Sequence, residues 1–151
     1  MNTMELTSKA FKNNEDIPSK YTCDGENISP PLSISSAPGE TKGLVLIMDD
    51  PDATGGSIFD HWVMWDIAST TTELQEGMPP GSAIQGVTGF GKVEYGGPCP
   101  PQGNEKHRYM FKLYALDALL SLAEGATKEN IEKAMEGHIL EQTTFIGMYG
   151  R

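Results

Sequence analysis

The stretch from residue 77 to residue 103 restricts the fold more than any other part of this sequence. It holds eight glycines and five prolines in 27 residues. Proline inside a helix removes a backbone donor and clashes with the preceding turn, and glycine there costs conformational entropy. The middle of the chain is therefore predicted to form loops and short irregular strands. The whole chain has 151 residues, the usual size of one domain, so we predict a single domain over residues 1–151.

Several other segments have the composition of β-strands. Residues 43–48 form a short apolar run that suits a buried strand, and residues 143–149 suit a last strand. Residues 107–116 alternate clearly between apolar and polar side chains. Residues 61–67 are rich in aromatic side chains, and a period of two divides them between two faces. One face would carry His61, Val63, Trp65 and Ile67, and the other Trp62, Met64 and Asp66.

Two helices are predicted late in the chain. Residues 117–123 would form a short helix that ends before Gly125. Residues 127–141 would form a longer one, with Thr127 as its N-cap and His138 on its apolar stripe in a structural role. Short strands followed by helices are typical of a mainly β, sandwich-like domain in which helices lie toward the C-terminus.

The charge balance excludes some classes of partner. Asp and Glu number 21 against 11 Lys and Arg, a formal net charge of −10. This argues against nucleic acid and against stable association with an anionic membrane surface. The longest apolar run has five residues, too few to span a bilayer, and the N-terminus has no secretory pattern, so we expect a cytoplasmic protein. In a reducing compartment Cys23 and Cys99 are expected to be thiols, although the sequence leaves a disulfide open.

Potentially reactive side chains occur where the predicted strands meet Gly- and Pro-rich loops. The strand at 43–48 ends in an acidic turn at 49–52, and His61 begins the next strand. The loop at 95–101 leads to His107 and Tyr109, which share a strand face. These residues have ordinary interpretations, as turn caps and packed histidines. Together they also suit a small pocket in which imidazole and phenol groups face one anion.

At these residues the chain resembles the phosphatidylethanolamine-binding proteins, also called the Raf kinase inhibitor protein family, and above all their bacterial and archaeal branch. The matching segments are YTCDGENISPPL (21–32), DPDA (50–53), HWVMWDI (61–67), YGGPCPP (95–101), HRYMFKLYAL (107–116) and GATKENIEKAMEGH (125–138). Each is weak alone, but together they cover nearly the whole chain in the family's order.

The resemblance implies a large antiparallel Greek-key sheet packed on a smaller one, with C-terminal helices. It also implies a pocket for phosphate-like groups and phosphoethanolamine headgroups, without cofactor, metal or catalytic residue. The ligand-binding residues carried over are Asp50, Asp52, His61, Gly97, Cys99, His107 and Tyr109. The sequence departs from the family after DPDA, where Thr54 stands in place of a common proline, and at 88–90, where a rim hydrogen bond comes into question.

Our leading hypothesis is a non-catalytic binding protein for a phosphate-type anion or zwitterion. The two imidazoles and the Tyr109 hydroxyl would donate to the ligand, and Asp50 and Asp52 would accept from imidazole nitrogens or from a ligand ammonium. A regulatory protein that inhibits a kinase or a serine protease is a second possibility, with an unknown protein partner. A metal-dependent hydrolase is a third, since two Asp and two His could hold a metal. By resemblance, a homodimer is expected.

Overall fold

The computed structural model describes residues 3–103 and 105–151 as two antiparallel sheets and one α-helix. The smaller sheet has the order β1-β2-β5 and the larger one β6-β4-β3-β7-β8. The strands are β1 (Glu5–Thr7), β2 (Leu32–Ser35), β3 (Gly43–Asp50), β4 (Phe59–Ile67), β5 (Glu73–Leu74), β6 (Ile84–Gln85), β7 (His107–Leu116) and β8 (Ile139–Tyr149), and the helix is α1 (Lys128–Met135). The predicted mainly β, two-sheet architecture is confirmed.

The central strand β3 is buried along its whole length, which explains its nearly continuous apolar sequence. Leu44, Leu46 and Met48 face the core shared with the smaller sheet. Val45 and Ile47 face a second cluster, which includes residues of α1. Since both faces of β3 are covered, the two acidic residues at its end, Asp49 and Asp50, are also buried.

Strand β4 departs from the strict alternation that its sequence predicts. Its register against β3 shifts twice, because β4 has one extra residue near Asp66 and another at His61. Ile67 therefore packs in the same cluster as Trp62 and Met64 rather than opposite to them. His61 likewise turns to the side of Tyr109, with ring centroids 5.2 Å apart. The predicted face assignment is wrong at these two residues, and the bulge at His61 brings its imidazole to the end of the core shared by the sheets.

The predicted helix at residues 117–123 is absent: the segment is irregular. The side chain of Asp66 accepts hydrogen bonds from the backbone N–H groups of Leu120 (2.8 Å) and Ser121 (3.1 Å). Ser121 also has a positive φ of 54°. The carboxylate of Asp66 thus satisfies amides that a helix would have paired, and holds the segment against the end of β4.

Helix α1 begins where the sequence predicts and ends earlier. The Thr127 side chain accepts from the backbone N–H of Asn130, and the Asn130 side chain accepts from that of Thr127. The helix ends at Met135, and Gly137 has a φ of 80°. His138 therefore lies beyond the helix, half exposed, with Nδ1 2.8 Å from Asp117 Oδ1. The predicted position of His138 on an apolar helical stripe is wrong.

None of the helices formed by the described residues is long and apolar enough to cross a membrane.

Candidate functional site

A cavity of about 330 Å³ opens where β3, β4 and β7 meet the loop at residues 99–101. It is lined by Asp50, Ala53, Thr54, Phe59, His61, Phe90, Cys99, Pro100, Pro101, His107 and Tyr109. Five of the seven predicted ligand-binding residues are in this lining, namely Asp50, His61, Cys99, His107 and Tyr109. The fold thus collects into one cavity side chains that are distant in sequence.

The deepest polar pair in the cavity joins the end of β3 to the start of β7. His107 Nδ1 lies 2.8 Å from Asp50 Oδ2, and both side chains are almost fully buried. The other oxygen of Asp50 accepts the backbone N–H of Asp52 at 2.8 Å. An ionised carboxylate can only accept, so His107 Nδ1 donates, and its Nε2 is left for other contacts.

The three carboxylates of the acidic turn do not face one another, because each has a different basic partner on β7. Asp50 pairs with His107 as described. Asp49 points to the opposite face of the sheet, where Lys112 Nζ is 3.0 Å away. Asp52 is bound by the Arg108 guanidinium through two hydrogen bonds of 2.9 Å, with a third from the Arg108 backbone N–H. These hydrogen bonds lower the pKa of Asp52 to about 2.

Asp52 is therefore not placed as the sequence suggested. It is absent from the cavity lining, and it contacts Arg108 rather than an imidazole. Arg108 follows His107 in β7, so its side chain emerges on the other, wetter face of the strand. The alternation of β7 was visible in the sequence, but the pairing across the sheet was not.

The imidazole of His61 is held by one segment of the glycine- and proline-rich stretch. Its Nδ1 is 2.7 Å from the carbonyl oxygen of Gly96, and the Gly96 N–H donates to the His61 carbonyl at 3.0 Å. A carbonyl only accepts, so Nδ1 carries the hydrogen and Nε2 of the neutral ring carries a lone pair. Burial lowers the pKa of His61 below its ordinary value, against the opposing effects of the Gly96 contact and nearby aspartates.

Aromatic rings form the apolar part of the cavity. The Phe59 ring centroid lies 5.0 Å from that of His61 and 4.8 Å from that of Phe90. The Tyr109 ring packs beside both imidazoles, with its centroid 5.2 Å from that of His61 and 6.2 Å from that of His107. Burial raises the pKa of its hydroxyl, which stays a donor at neutral pH. Sequence reasoning missed Phe59, because β4 starts two residues earlier than predicted. Its spacing of two from His61 was the available indication.

Gly97 supports the cavity without lining it. Its N–H donates to the side-chain oxygen of Asn27 at 2.8 Å. A Cβ at this position would collide with the backbone carbonyl of Tyr21, so only glycine allows the two segments to approach so closely. Gly97 thus has a packing role beside the cavity, and its contact with a ligand stays a prediction.

Cys23 and Cys99 are joined by a disulfide, with Cα atoms 5.4 Å apart. The expectation of two thiols is wrong for this structure. It rested on the cytoplasmic assignment, and no local sequence pattern encodes the distance between two cysteines 76 positions apart. The bond connects the turn after residues 19–21 to the loop at the mouth of the cavity.

Among residues 3–103 and 105–151, no group of three or more His, Cys, Asp or Glu side chains is placed to hold a metal ion. The described residues therefore contain no ligand set that supports the metal-dependent hydrolase.

A model of the phosphatidylethanolamine-binding protein family matches residues 7–150. The chain belongs to the phosphatidylethanolamine-binding protein family. It is 50% identical to a UPF0098 protein of Methanothermobacter thermautotrophicus, over 98% of this chain and 99% of that one. It is also 50% identical to a UPF0098 protein of Aquifex aeolicus, over 98% of this chain and 89% of the relative. The resemblance stated from sequence motifs is confirmed.

Solved structures agree with this assignment. A homologue of the phosphatidylethanolamine-binding protein from Chlamydia trachomatis superposes with a TM-score of 0.94 at 43% identity, covering 100% of this chain and 99% of that one. The E. coli protein YbcL, described as a member of the mammalian family, gives a TM-score of 0.91 at 28% identity, with 99% of both chains covered. The fold of this chain is thus shared over nearly its whole length by these two proteins.

Proposed function

We propose that the cavity binds one small oxyanion of the phosphate type, free or as a headgroup, and catalyses no reaction. The observation that supports this most is the arrangement of His61 and His107. In each ring Nδ1 is hydrogen-bonded to a protein oxygen, so only Nε2 can contact a ligand. Both rings line the same cavity. Tyr109, which also lines the cavity, adds a phenol whose ring packs beside both imidazoles.

Binding of an anion in this cavity should require protons. In its neutral form an imidazole that donates through Nδ1 presents a lone pair at Nε2, which repels an oxyanion. Protonation converts the same nitrogen into a charged donor. Burial lowers the pKa of His61, so that ring is neutral at pH 7 in the free protein. The proton comes either from solution or from a ligand that carries a P–OH group.

The net charge of −10 limits which ligands are favoured. Long-range repulsion acts against a dianion, whereas a zwitterion such as phosphoethanolamine is not repelled overall. Both oxygens of Asp50 and both of Asp52 already accept hydrogen bonds from the protein. We therefore assign a ligand ammonium to the rings of Phe59 and Phe90, whose faces attract cations.

The test is titration calorimetry with phosphate, phosphoethanolamine and sulfate at pH 8 and pH 5.5. Sulfate keeps its charge over this range, so a change in its affinity reports protonation of the protein. We expect each anion to bind more tightly at pH 5.5, by up to about tenfold per pH unit for each proton taken up. The variants His61→Ala and His107→Ala should each weaken binding at pH 5.5.

His138→Ala is the matched control, since His138 is half exposed, lies outside the cavity lining and pairs with Asp117. It should leave the affinities unchanged. If neither cavity variant weakens binding, or if sulfate binds equally at both pH values, the assigned site or its dependence on protons is wrong. Tighter binding of phosphate than of phosphoethanolamine at low salt would contradict the preference for a zwitterion.

A protein inhibitor or modulator is the second candidate. A structure of a carboxypeptidase Y inhibitor in complex with its cognate proteinase shares this fold, with a TM-score of 0.58 at 18% identity. At that identity the likeness concerns the fold alone. Binding of a kinase or protease that is insensitive to His61→Ala and His107→Ala would favour this candidate and a surface away from the cavity.

The cytoplasmic location and the homodimer stay predictions. A disulfide is uncommon in a reducing cytoplasm, so the redox state of Cys23 and Cys99 in cells bears directly on the first. The second would be settled by the mass of the protein in solution.

A further inference from the structure

The disulfide is in an unusual position for a bond that only stabilises a fold. Both Cys23 and Cys99 are solvent-exposed, and Cys99 also lines the cavity. Exposed disulfides can be reached by external thiols and are the kind that exchange readily. A disulfide that only stabilises the fold does not have to be accessible to thiols in solution.

The segment that the disulfide holds forms one wall of the cavity. Three of the residues at 98–101 are prolines, which have no N–H to donate, so the backbone offers few hydrogen bonds there. Besides the disulfide, only a few hydrogen bonds join this wall to the turn after residues 19–21. Cys23 N–H donates to the Pro98 carbonyl at 3.1 Å, and the Tyr95 hydroxyl donates to the Tyr21 carbonyl at 2.7 Å.

Two further contacts hold the same segment. Gly97 N–H donates to Asn27, as described, and Arg151 Nε donates to the Pro100 carbonyl at 2.9 Å. Arg151 also pairs with Asp24, which follows Cys23. The disulfide is thus the covalent part of a small set of ties that all join residues 95–101 to one neighbouring region.

This wall is connected directly to the chemistry of the cavity through Gly96. Its carbonyl receives the Nδ1–H of His61, and its N–H donates back to the His61 backbone. Gly96 lies three residues from Cys99, so movement of the loop at 98–101 is transmitted to this contact over a short distance. The orientation and the tautomer of the His61 ring depend on that contact.

From these contacts we infer that the Cys23–Cys99 disulfide is a redox-sensitive support of the cavity, and that its reduction by a dithiol weakens anion binding. The inference rests on the proposed function. The reaction is thiol–disulfide exchange: the dithiol supplies two electrons and two protons, Cys23 and Cys99 become thiols, and the dithiol becomes a disulfide. A freed wall then places the Gly96 carbonyl less accurately, and His61 must be oriented again when an anion binds.

The test compares oxidised and reduced wild-type protein. The protein is reduced with dithiothreitol at pH 8, freed of reductant without air, and titrated with sulfate at pH 5.5. The sequence has two cysteines, so the reductant has one target. We expect the affinity for sulfate to fall about tenfold on reduction and to return on reoxidation. Cys23→Ser should bind as the reduced protein does, with or without reductant.

A second measurement needs no ligand. The ring signals of His61 in NMR spectra should shift on reduction, whereas those of His138 should not. Equal affinities in both redox states, or unchanged His61 signals, would overturn the inference. If the oxidised protein binds no anion at all, the proposed function fails, and the NMR comparison still decides whether the disulfide supports His61.

Discussion

Asp49 and Asp50 are neighbours in β3, yet they end on opposite faces of the larger sheet in very different surroundings. Asp49 lies 3.0 Å from Lys112 and 3.6 Å from Lys128, and Lys128 also contacts Asp60 at 2.8 Å. We call these four residues the lysine cluster. Asp50 faces the cavity and pairs with His107. Both aspartates are almost completely buried.

The two faces differ in the groups that pair with their aspartates, which are lysines for Asp49 and a histidine for Asp50. Burial alone would lower the pKa of Lys128, but Asp60 and Asp49 raise it, so its charge persists through the physiological range. The lysine cluster also fixes the start of α1 against the ends of β3 and β4. On the other face, Asp50 pairs with the imidazole of His107 at the end of a cavity. The same two-residue acidic run thus serves docking of the helix on one face and lines an open cavity on the other.

The largest effect should come from Lys128→Met. This change leaves Asp49 and Asp60 buried with less compensation, and removing one partner of a buried ion pair costs about 3–5 kcal/mol. Urea unfolding at pH 7 measures the loss. Lys133→Met on the exposed face of α1 is the control and should cost less than about 0.5 kcal/mol. Similar small losses in both variants would show that the lysine cluster is not an essential tie.

A smaller effect should separate the two aspartates themselves. Asp49→Asn leaves lysine charges unbalanced in a buried place, and we expect a loss of about 2–3 kcal/mol. Asp50→Asn keeps a side-chain oxygen that can accept from His107 Nδ1, and we expect a loss of about 1 kcal/mol. Urea unfolding of the two variants at pH 7.5 makes the comparison. Equal losses would mean that the two faces do not differ as described.

The smallest effect concerns pH. Burial lowers the pKa of His61 in the folded protein, so the unfolded chain binds more protons just below the ordinary histidine pKa. Stability should therefore fall as pH drops below about 6.5, by less than the one-proton limit of about 1.4 kcal/mol per pH unit. Denaturant unfolding between pH 7.5 and 5 should show a weaker fall in His61→Gln. Lys133→Met should keep the wild-type slope, and an unchanged slope in His61→Gln would refute this account.

The sequence was sufficient where local pattern and packing agree. Strand β7 has the predicted limits, and Thr127 caps α1 as predicted. The order of strands and helices predicted a mainly β, sandwich-like domain, and the family resemblance implied the two sheets. Four of the five cavity residues stand at strand ends, and the resemblance also supplied Cys99 from the loop.

The sequence was not sufficient to predict features that depend on contacts between residues far apart in the chain. The segment at 117–123 has a helical composition, but Asp66, more than fifty residues earlier, takes its amides. The disulfide and the pairing of Asp52 with Arg108 depend on distances that no local pattern encodes. A bulge of one residue likewise gave no pattern to read and moved His61 to the other face.

The bulge at His61 divides β4 into two parts that have different registers against β3. Trp62 and Met64 pack in the core, whereas Phe59 and His61 line the cavity. Deleting one residue at the bulge would restore a regular strand and send the imidazole toward α1, while the core half stays in place. The register of the ligand-facing end of this strand is therefore set separately from the register that packs the two sheets together.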